Sequence, residues 1–290
     1  MMKFTLFLGC NIPVRVQQYE LSARAVLDKL GVEIVDIREF NCCGYPLRNS
    51  NFEAFILSSA RNLALAEQHG QSMMTLCKCC YGSLKKAQYV LRDNSALLRD
   101  INGLLAKEDL EYNGEIEIKH LLSVLHQDIG LDELAAKRTV TFKSLKIATH
   151  YGCHALRPSD ITEFDNPVAP VLFDELVEAT GATSIEWPSK LECCGAPAFG
   201  INDDLSTDLT RRKLTAGKGA GADYLCVACP YCQMQFDKVQ KMMAKDSGEN
   251  HYLASIVYPQ LLGLAMGIDP DSLGIKMNEL DISGLKNFLS

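Results

Sequence analysis

Cysteine is the residue type whose number and spacing in this sequence point to chemistry. The chain of 290 residues contains 12 cysteines, in two sets that share one order: a single cysteine, a Cys-Cys-Gly motif and a Cys-x-x-Cys motif. The recurring members are Cys10, Cys42, Cys43, Cys77 and Cys80 in the first set, and Cys153, Cys193, Cys194, Cys229 and Cys232 in the second. A proline also follows each Cys-Cys-Gly motif after one further residue. The sequence therefore predicts an internal duplication into two domain-sized lobes.

Two cysteines, Cys79 and Cys226, have no counterpart in the other set. Because Cys226 lies three residues before Cys229, the second Cys-x-x-Cys motif could begin at either of them. Starting it at Cys229 keeps the interval after the Cys-Cys-Gly motif within one residue of the interval in the first set. Cys226 also falls inside a predicted strand, where a side chain points into one face of the sheet. We therefore predict that Cys79 and Cys226 are not metal ligands.

Cysteine thiolates bind zinc, form redox-active dithiols or bind iron-sulfur clusters. Five recurring cysteines in each lobe exceed the four ligands of a closed zinc site and the two thiols of a thioredoxin-type centre. Soft sulfur ligands suit iron and sulfide, although the ferredoxin run C-x2-C-x2-C-x3-C is absent. The residues favour iron-sulfur clusters and leave open a zinc-stabilised scaffold without redox activity.

Short apolar runs alternate with stretches of helical periodicity in both halves of the chain. In the first half, strands are predicted at 3–8, 32–37 and 73–76, and helices at about 13–30, from a cap at Asn49 or Ser50 to 69, and from about 82. In the second half, strands are predicted at 145–149, 184–186 and 224–227, and helices at about 169–180, at 205–217 and after Pro230. We therefore expect an α/β fold of two pseudo-symmetric lobes, each a small parallel sheet with flanking helices. Each cysteine group would lie at the carboxyl ends of the strands.

The composition, with 47% hydrophobic and 22% charged residues, is typical of a globular protein. A net charge of -7 argues against nucleic acid as a partner. The sequence has no apolar run of about 18 residues and no secretory signal, so we expect no membrane span and a cytoplasmic location. We expect the first lobe to span residues 1–143, with a more charged bridging segment from about 104, and the second lobe to span 144–290.

The doubled cysteine pattern resembles the CCG-domain family, and almost the whole chain is similar to the catalytic B subunits of heterodisulfide reductases. The resemblance implies two noncubane [4Fe-4S] clusters, each held by the five recurring cysteines of one lobe. It also implies reduction of the disulfide of coenzyme M and coenzyme B to two thiols, with one cluster for each thiolate. The first Cys-x-x-Cys motif departs from the family, because it reads Cys77-Lys78-Cys79-Cys80 where Pro-Gly often lies between the cysteines. This departure adds a thiol without changing the ligand spacing.

The chain has no nucleotide-binding motif, so its electrons must come from partners. The resemblance implies two of them: a ferredoxin-like C subunit, which is the immediate donor, and a flavin-containing A subunit. Two alternatives concern the clusters. One or both of them could only relay electrons, and the chain could be the CCG-type electron-transfer subunit of a succinate, lactate or glycolate dehydrogenase.

Histidines and cations near the cysteines are further candidates for the site. His154 directly follows Cys153 and could donate a proton to a departing thiolate, or form a hydrogen bond to sulfur. His150 directly follows a predicted strand and is interpreted as structural. Because both coenzymes are anionic, we expect cationic side chains near the motifs to bind them. The candidates are Arg48, Lys78 and Arg157, and Lys85, Lys86 and Lys190 are further cations near the motifs.

Overall fold

Each half of the chain folds around its own four-stranded parallel sheet. The computed structural model describes residues 2–247 and 253–290. The first sheet has the strand order β2-β1-β3-β4, and the second has the equivalent order β6-β5-β7-β8. All the strand pairs in both sheets are parallel. The expected α/β fold with two similar lobes is therefore confirmed.

The first lobe is built from four strands and the helices between them. Its strands are β1 (Lys3–Phe7), β2 (Glu33–Val35), β3 (Met73–Thr75) and β4 (Ile118–His120). Its helices are α1 (Ile12–Arg15), α2 (Gln17–Lys29), α3 (Phe52–Gln68), α4 (Lys78–Asp93) and α5 (Ser95–Leu105). Two short helices, α6 (Leu121–Ser123) and α7 (Leu131–Ala136), then lead towards the second lobe.

The second lobe follows the same path. Its strands are β5 (Lys146–His150), β6 (Thr183–Ser184), β7 (Tyr224–Val227) and β8 (Ser255–Val257). Its helices are α8 (Ser159–Thr162), α9 (Leu172–Glu178), α10 (Asp203–Gly219), α11 (Pro230–Met234), α12 (Gln240–Ser247) and α13 (Tyr258–Ala265). The last four residues of β1 and of β5 are buried, as expected for parallel strands that helices cover on both faces.

Several helix starts differ from the predictions, and two of them lie close to the cysteine motifs of the first lobe. The predicted cap of α3 at Asn49 or Ser50 is wrong, because the side chain of Asn51 accepts a hydrogen bond from the Ala54 amide. Asn202 caps α10 in the same way, so the duplication extends to this detail. The helix predicted from about 82 begins at Lys78 instead, because Cys77 is its N-cap. The Cys-x-x-Cys motif is therefore part of the first turn of α4.

The sequence patterns predicted three strands in each lobe and missed the fourth. β4 lies within the segment expected to bridge the lobes and pairs with β3. Near the end of the same segment, Phe142 forms an antiparallel bridge with Leu289. The lobes also pack through α2 against α13 and through α4 against α8. The division at residues 143 and 144 stays a prediction.

The strand order explains why the cysteines meet. In the first sheet β1 lies between β2 and β3, so the chain connections diverge at the carboxyl ends of β1 and β3, which is where open α/β sheets bind ligands. Cys10 follows β1 and Cys77 follows β3. Cys153 follows β5 and Cys229 follows β7 at the equivalent place in the second sheet. Within the described residues, no helix combines the length and apolar character needed to cross a bilayer.

Candidate metal centres

The five recurring cysteines of the first lobe form one connected group. Their thiols are hydrogen-bonded in a chain that runs in the order Cys10, Cys42, Cys43, Cys80 and Cys77. All five line a small cavity that also contains Cys79. Cys77 is the N-cap of α4, and its sulfur accepts a hydrogen bond from the Cys80 amide at 3.4 Å. The five sulfurs therefore surround one small cavity, where a metal centre would be bound.

The second lobe repeats this arrangement. Its thiols are hydrogen-bonded in the order Cys153, Cys193, Cys194, Cys232 and Cys229. All the cysteines of both lobes are free thiols. The first cysteine of each Cys-Cys-Gly motif has the same environment: hydrogen bonds from Cys10 and Cys43 lower the pKa of Cys42 to about 2. In the second lobe, hydrogen bonds from two neighbouring thiols lower the pKa of Cys193 to about 2 as well.

The glycine of each Cys-Cys-Gly motif is required by the backbone and by packing. Gly44 has a φ of +81°, and a Cβ there would lie 2.8 Å from the carbonyl oxygen of Phe55. Gly195 has a φ of +94°, and a Cβ there would lie 2.5 Å from the carbonyl oxygen of Ser206. Only glycine combines this left-handed conformation with so close an approach. The loop therefore rests directly on the helix that follows it, α3 in one lobe and α10 in the other.

The two cysteine groups are in contact with each other. The sulfur atoms of Cys77, Cys79 and Cys229 all lie within 4.8 Å of one another. Cys79 is therefore not remote from the site, because it contacts recurring cysteines of both lobes. Cys226 is different: it lies inside β7, in register with Thr149 and Ile256, and is buried. The absence of these two residues from the ligand set stays a prediction.

His154 lies between the two cysteine groups. Its Nδ1 is 3.2 Å from the sulfur of Cys153 and 3.6 Å from the sulfur of Cys79. The ring of Tyr45, which follows the first Cys-Cys-Gly motif, packs edge-on against it at 5.0 Å. Burial lowers the pKa of His154, so the imidazole is neutral near pH 7. The ring is thus placed to hold or transfer a proton beside the sulfur of Cys153.

A cleft of about 530 Å³ opens between the lobes beside His154. Gly82 allows the two sides to approach closely, because a Cβ on it would lie 2.5 Å from the carbonyl oxygen of His154. We call this space the interlobe cleft, and it is lined by Arg48, Asn49, Phe52, Gly82, Lys86, Cys153, His154, Arg157 and Pro158. Three of these side chains are cationic. Arg48 and Arg157, both candidates from the sequence, are therefore brought together at the second cysteine group.

The other candidate cations lie elsewhere. Lys78 is buried, and its ammonium donates hydrogen bonds to the carbonyl oxygens of Tyr151, at 2.8 Å, and His150, at 3.4 Å. Lys85 forms an ion pair with Glu163, and Lys190 forms ion pairs with Asp174 and Glu186. These three side chains are engaged within the protein, whereas Lys86 lines the interlobe cleft.

Two residues near the second cysteine group were not predicted from the sequence. One ring nitrogen of His150 lies within 4.8 Å of the sulfurs of Cys194 and Cys232, although His150 was interpreted as structural. The buried side chain of Lys213 in α10 bonds to the carbonyl oxygen of Ser189. Burial lowers the pKa of Lys213 to about 8. Alignment of the two lobes could have shown that Phe7 is the counterpart of His150.

The donor set of each group fits an iron-sulfur cluster. Every recurring donor is a cysteine sulfur, free of disulfide bonds and able to bind as thiolate. Soft thiolate ligands in this number suit iron and sulfide better than a tetrahedral zinc ion, which takes four ligands.

Comparison with known proteins agrees with the duplication. The cysteine-rich domain family CCG matches residues 4–85 and 147–237, and each match contains all five recurring cysteines of its lobe. The B subunit of the ferredoxin/F(420)H(2)-dependent CoB-CoM heterodisulfide reductase of Methanosarcina acetivorans is 36% identical over 285 residues. That alignment covers 97% of this chain and 94% of the relative.

Two further proteins are similar over almost the whole chain. The 8-methylmenaquinol:fumarate reductase membrane anchor subunit of Wolinella succinogenes is 32% identical, over 98% of this chain and 99% of that protein. The crystal structure of a hypothetical protein from Helicobacter pylori superposes with a TM-score of 0.75 at 20% identity. It covers 97% of this chain, which spans about half (52%) of that solved chain, and it supports the fold alone. The chain belongs to the family of cysteine-rich CCG-domain proteins that includes the B subunits of heterodisulfide reductase, and it carries the domain twice.

Proposed function

We propose that the chain is the catalytic subunit of a heterodisulfide reductase, which reduces the disulfide of coenzyme M and coenzyme B to two thiols. The proposal includes two noncubane [4Fe-4S] clusters. The first is held by Cys10, Cys42, Cys43, Cys77 and Cys80, and the second by Cys153, Cys193, Cys194, Cys229 and Cys232. The similarity of both lobes to the B subunits of these enzymes supports it.

The observation that carries the proposal is the position of the interlobe cleft. The cleft joins three cationic side chains to Cys153 and His154, so an anionic substrate bound there would reach the sulfur group. The contact between Cys77 and Cys229 places the second sulfur group next to the first. A disulfide needs two electrons for its reduction, and two adjacent one-electron centres can supply them together.

The residues of the cleft have separate roles in this proposal. Arg48 and Arg157 bind the anionic groups of the coenzymes, because guanidinium groups form charge-assisted hydrogen bonds with sulfonate, phosphate and carboxylate. His154 is neutral at rest; after taking up a proton from water in the cleft, its imidazolium form would deliver that proton to a departing thiolate and return to the neutral form. The aromatic ring of Tyr45 packs edge-on against the imidazole and helps to hold its orientation. When bound, the clusters supply the electrons.

The proposal also concerns partners and location. The chain would receive electrons from a ferredoxin-like C subunit, which in turn receives them from a flavin-containing A subunit. Relatives that are named as subunits support assembly into a complex of this kind. We further propose a cytoplasmic location.

A second candidate function is electron transfer without disulfide chemistry. In this case the chain would be the CCG-type subunit of a dehydrogenase of the succinate, lactate or glycolate type. The similarity to a subunit of the Wolinella succinogenes fumarate reductase favours it. The two candidates differ in whether the interlobe cleft binds a disulfide.

The deciding experiment uses protein purified without oxygen. We expect about eight irons and eight sulfides per chain, and reduction of the coenzyme M–coenzyme B disulfide with a reduced viologen dye as donor. Cys193→Ala should abolish turnover and leave the first-lobe cluster visible by electron paramagnetic resonance (EPR). About two zincs per chain without sulfide would overturn the cluster assignment. Two clusters that exchange electrons but never reduce the disulfide would support the second candidate.

A further inference from the structure

The two cysteine groups differ at one equivalent position. Phe7 is the last residue of β1 and lies three residues before Cys10, whereas His150 is the last residue of β5 and lies three residues before Cys153. A Cβ built on Gly9 would lie 3.7 Å from the Phe7 ring. A Cβ built on the equivalent glycine, Gly152, would lie 3.6 Å from Nε2 of His150. The same place therefore holds a phenyl ring in one lobe and an imidazole in the other.

The imidazole of His150 faces sulfur and has no other partner within the described residues. The side chain is 1% exposed, and neither ring nitrogen has a hydrogen-bond partner there. One ring nitrogen lies within 4.8 Å of the sulfurs of Cys194 and Cys232. Phe236 packs edge-on against the ring at 5.1 Å and offers no polar atom. An unpaired N–H in such a place costs free energy, so it is expected to donate to a sulfur of the loaded site.

A second difference between the lobes also adds a polar group, here a cation, beside the second cysteine group. Lys213 is the eleventh residue of α10, and Asn62 is the eleventh residue of α3. Asn62 donates a hydrogen bond to the carbonyl oxygen of Cys42, so it supports the first cysteine group without charge. Lys213 places a buried ammonium near Cys194 and Cys232 instead. Lys78 also directs its ammonium into the second lobe, at the carbonyl oxygen of His150.

We propose that His150 donates a hydrogen bond to the sulfurs of the second-lobe cluster and, together with Lys213, makes that cluster easier to reduce than the first-lobe cluster. Reduction adds negative charge, which N–H donors to sulfur and nearby cations stabilise. The first cluster has neither group at the equivalent positions. An electron shared by the two clusters would therefore reside mainly in the second lobe, beside the interlobe cleft. This inference rests on the proposed clusters and adds an order to their reduction potentials.

The test exchanges the two equivalent residues in the full chain loaded with iron and sulfide. Midpoint potentials are measured by EPR-monitored redox titration, and Cys193→Ala identifies the signal of the second cluster. We expect His150→Phe to lower the midpoint of the second cluster and to leave the iron content and the first cluster unchanged. The reciprocal variant Phe7→His should raise the midpoint of the first cluster. Lys213→Asn, which introduces the first-lobe residue, should lower the second midpoint.

Further variants and outcomes keep the test decisive. His150→Gln retains an N–H donor and should keep most of the wild-type midpoint, even if His150→Phe does not fold. Unchanged midpoints in both His150→Gln and His150→Phe, or a second cluster that is harder to reduce than the first in wild-type protein, would overturn the inference. Loss of about half the iron in His150→Gln would overturn it too, since His150 would then be a ligand. Wild-type protein without two iron-sulfur clusters would instead contradict the proposed function.

Discussion

The sulfur of Cys77 in the first lobe lies within 4.8 Å of the sulfur of Cys229 in the second lobe. Cys77 is the N-cap of α4 and Cys229 is the N-cap of α11, so two helix N-termini meet at this contact. The N-terminus of a helix carries a partial positive charge. The cysteines of the two lobes therefore form one continuous run of thiols, and the centres they bind are expected to influence each other.

The first prediction concerns the alignment of the second Cys-x-x-Cys motif. Cys226 lies within β7 and is buried, so Cys226→Ala should keep the full iron content and lose about 1 kcal/mol of stability from packing. Cys232→Ala is the matched variant and should lose the second-lobe cluster. Iron analysis and thermal unfolding check both. Loss of iron in Cys226→Ala with none in Cys232→Ala would show that the motif begins at Cys226.

The second prediction concerns Cys79, which contacts Cys77, Cys229 and His154. Because Cys79 is not expected to bind iron, Cys79→Ser should keep the full iron content. The replaced thiol lies beside both groups, so the EPR signals of both clusters should still change in shape. Loss of a quarter or more of the iron in this variant would show that Cys79 is a ligand.

The third prediction separates backbone strain from packing in the Cys-Cys-Gly loop. Gly195→Ala should reduce the free energy of unfolding by about 3 kcal/mol, because it adds an overpacked contact to the strain of the left-handed backbone. Gly200 has a φ of +83° and nothing within 4 Å of its Cβ position, so Gly200→Ala should lose only about 1 kcal/mol. Urea unfolding under anaerobic conditions measures both. Equal losses would mean that the contact with Ser206 relaxes.

The fourth prediction concerns the buried ammonium of Lys78. Lys78→Met removes the donor to two buried carbonyl oxygens and should lose about 2 kcal/mol of stability. Lys85→Gln is the control on the same helix, because its ion pair with the exposed Glu163 is worth less than about 1 kcal/mol. Thermal unfolding compares the two variants. Equal stability of Lys78→Met and wild-type protein would contradict a structural role for this lysine.

The fifth prediction concerns the cations of the interlobe cleft. Arg48→Ala and Arg157→Ala should each raise the KM for the coenzyme disulfide about tenfold, which corresponds to about 1.4 kcal/mol of binding. Lys85→Ala, outside the cleft lining, should leave the KM unchanged. Steady-state kinetics with a reduced dye as donor provides the measurement. A normal KM in both arginine variants would place the substrate elsewhere.

The first three strands of the first lobe could be predicted because each combines an apolar run with a flanking turn, and those of the second lobe because it repeats the same path; the fourth strand of each lobe was missed. β4 has only three residues, Ile118, Lys119 and His120, and two of them are polar. β3 is equally short but belongs to an apolar run, whereas β4 lies in a charged segment that has no such run. Its strand conformation comes from pairing with β3, which is a tertiary interaction. β8 is equally short and pairs with β7.

The candidate site could be predicted from the sequence where its residues belong to the repeated motifs or lie near them. The recurring cysteines, Arg48, Arg157 and His154 were proposed because they are part of the motifs or lie near them, and the structure brings Arg48, Arg157 and His154 to one cleft. Lys78 is also near a motif, but packing of α4 against the second lobe directs its side chain inward. His150 and Lys213 were missed because each is a departure from the repeat, visible only when the lobes are compared position by position.

Gly82 allows the two lobes to approach closely at the cleft. It is inside α4, the helix that carries Cys77 and Cys80, and its backbone lies against the carbonyl group of His154. A single methyl group at this position would force the loop that carries Cys153 away from α4. Rates of electron tunnelling fall steeply with the distance between centres. The hydrogen atom in place of a side chain at residue 82 therefore keeps the two lobes close together. If each lobe holds a cluster as proposed, it would also keep the path of an electron between them short.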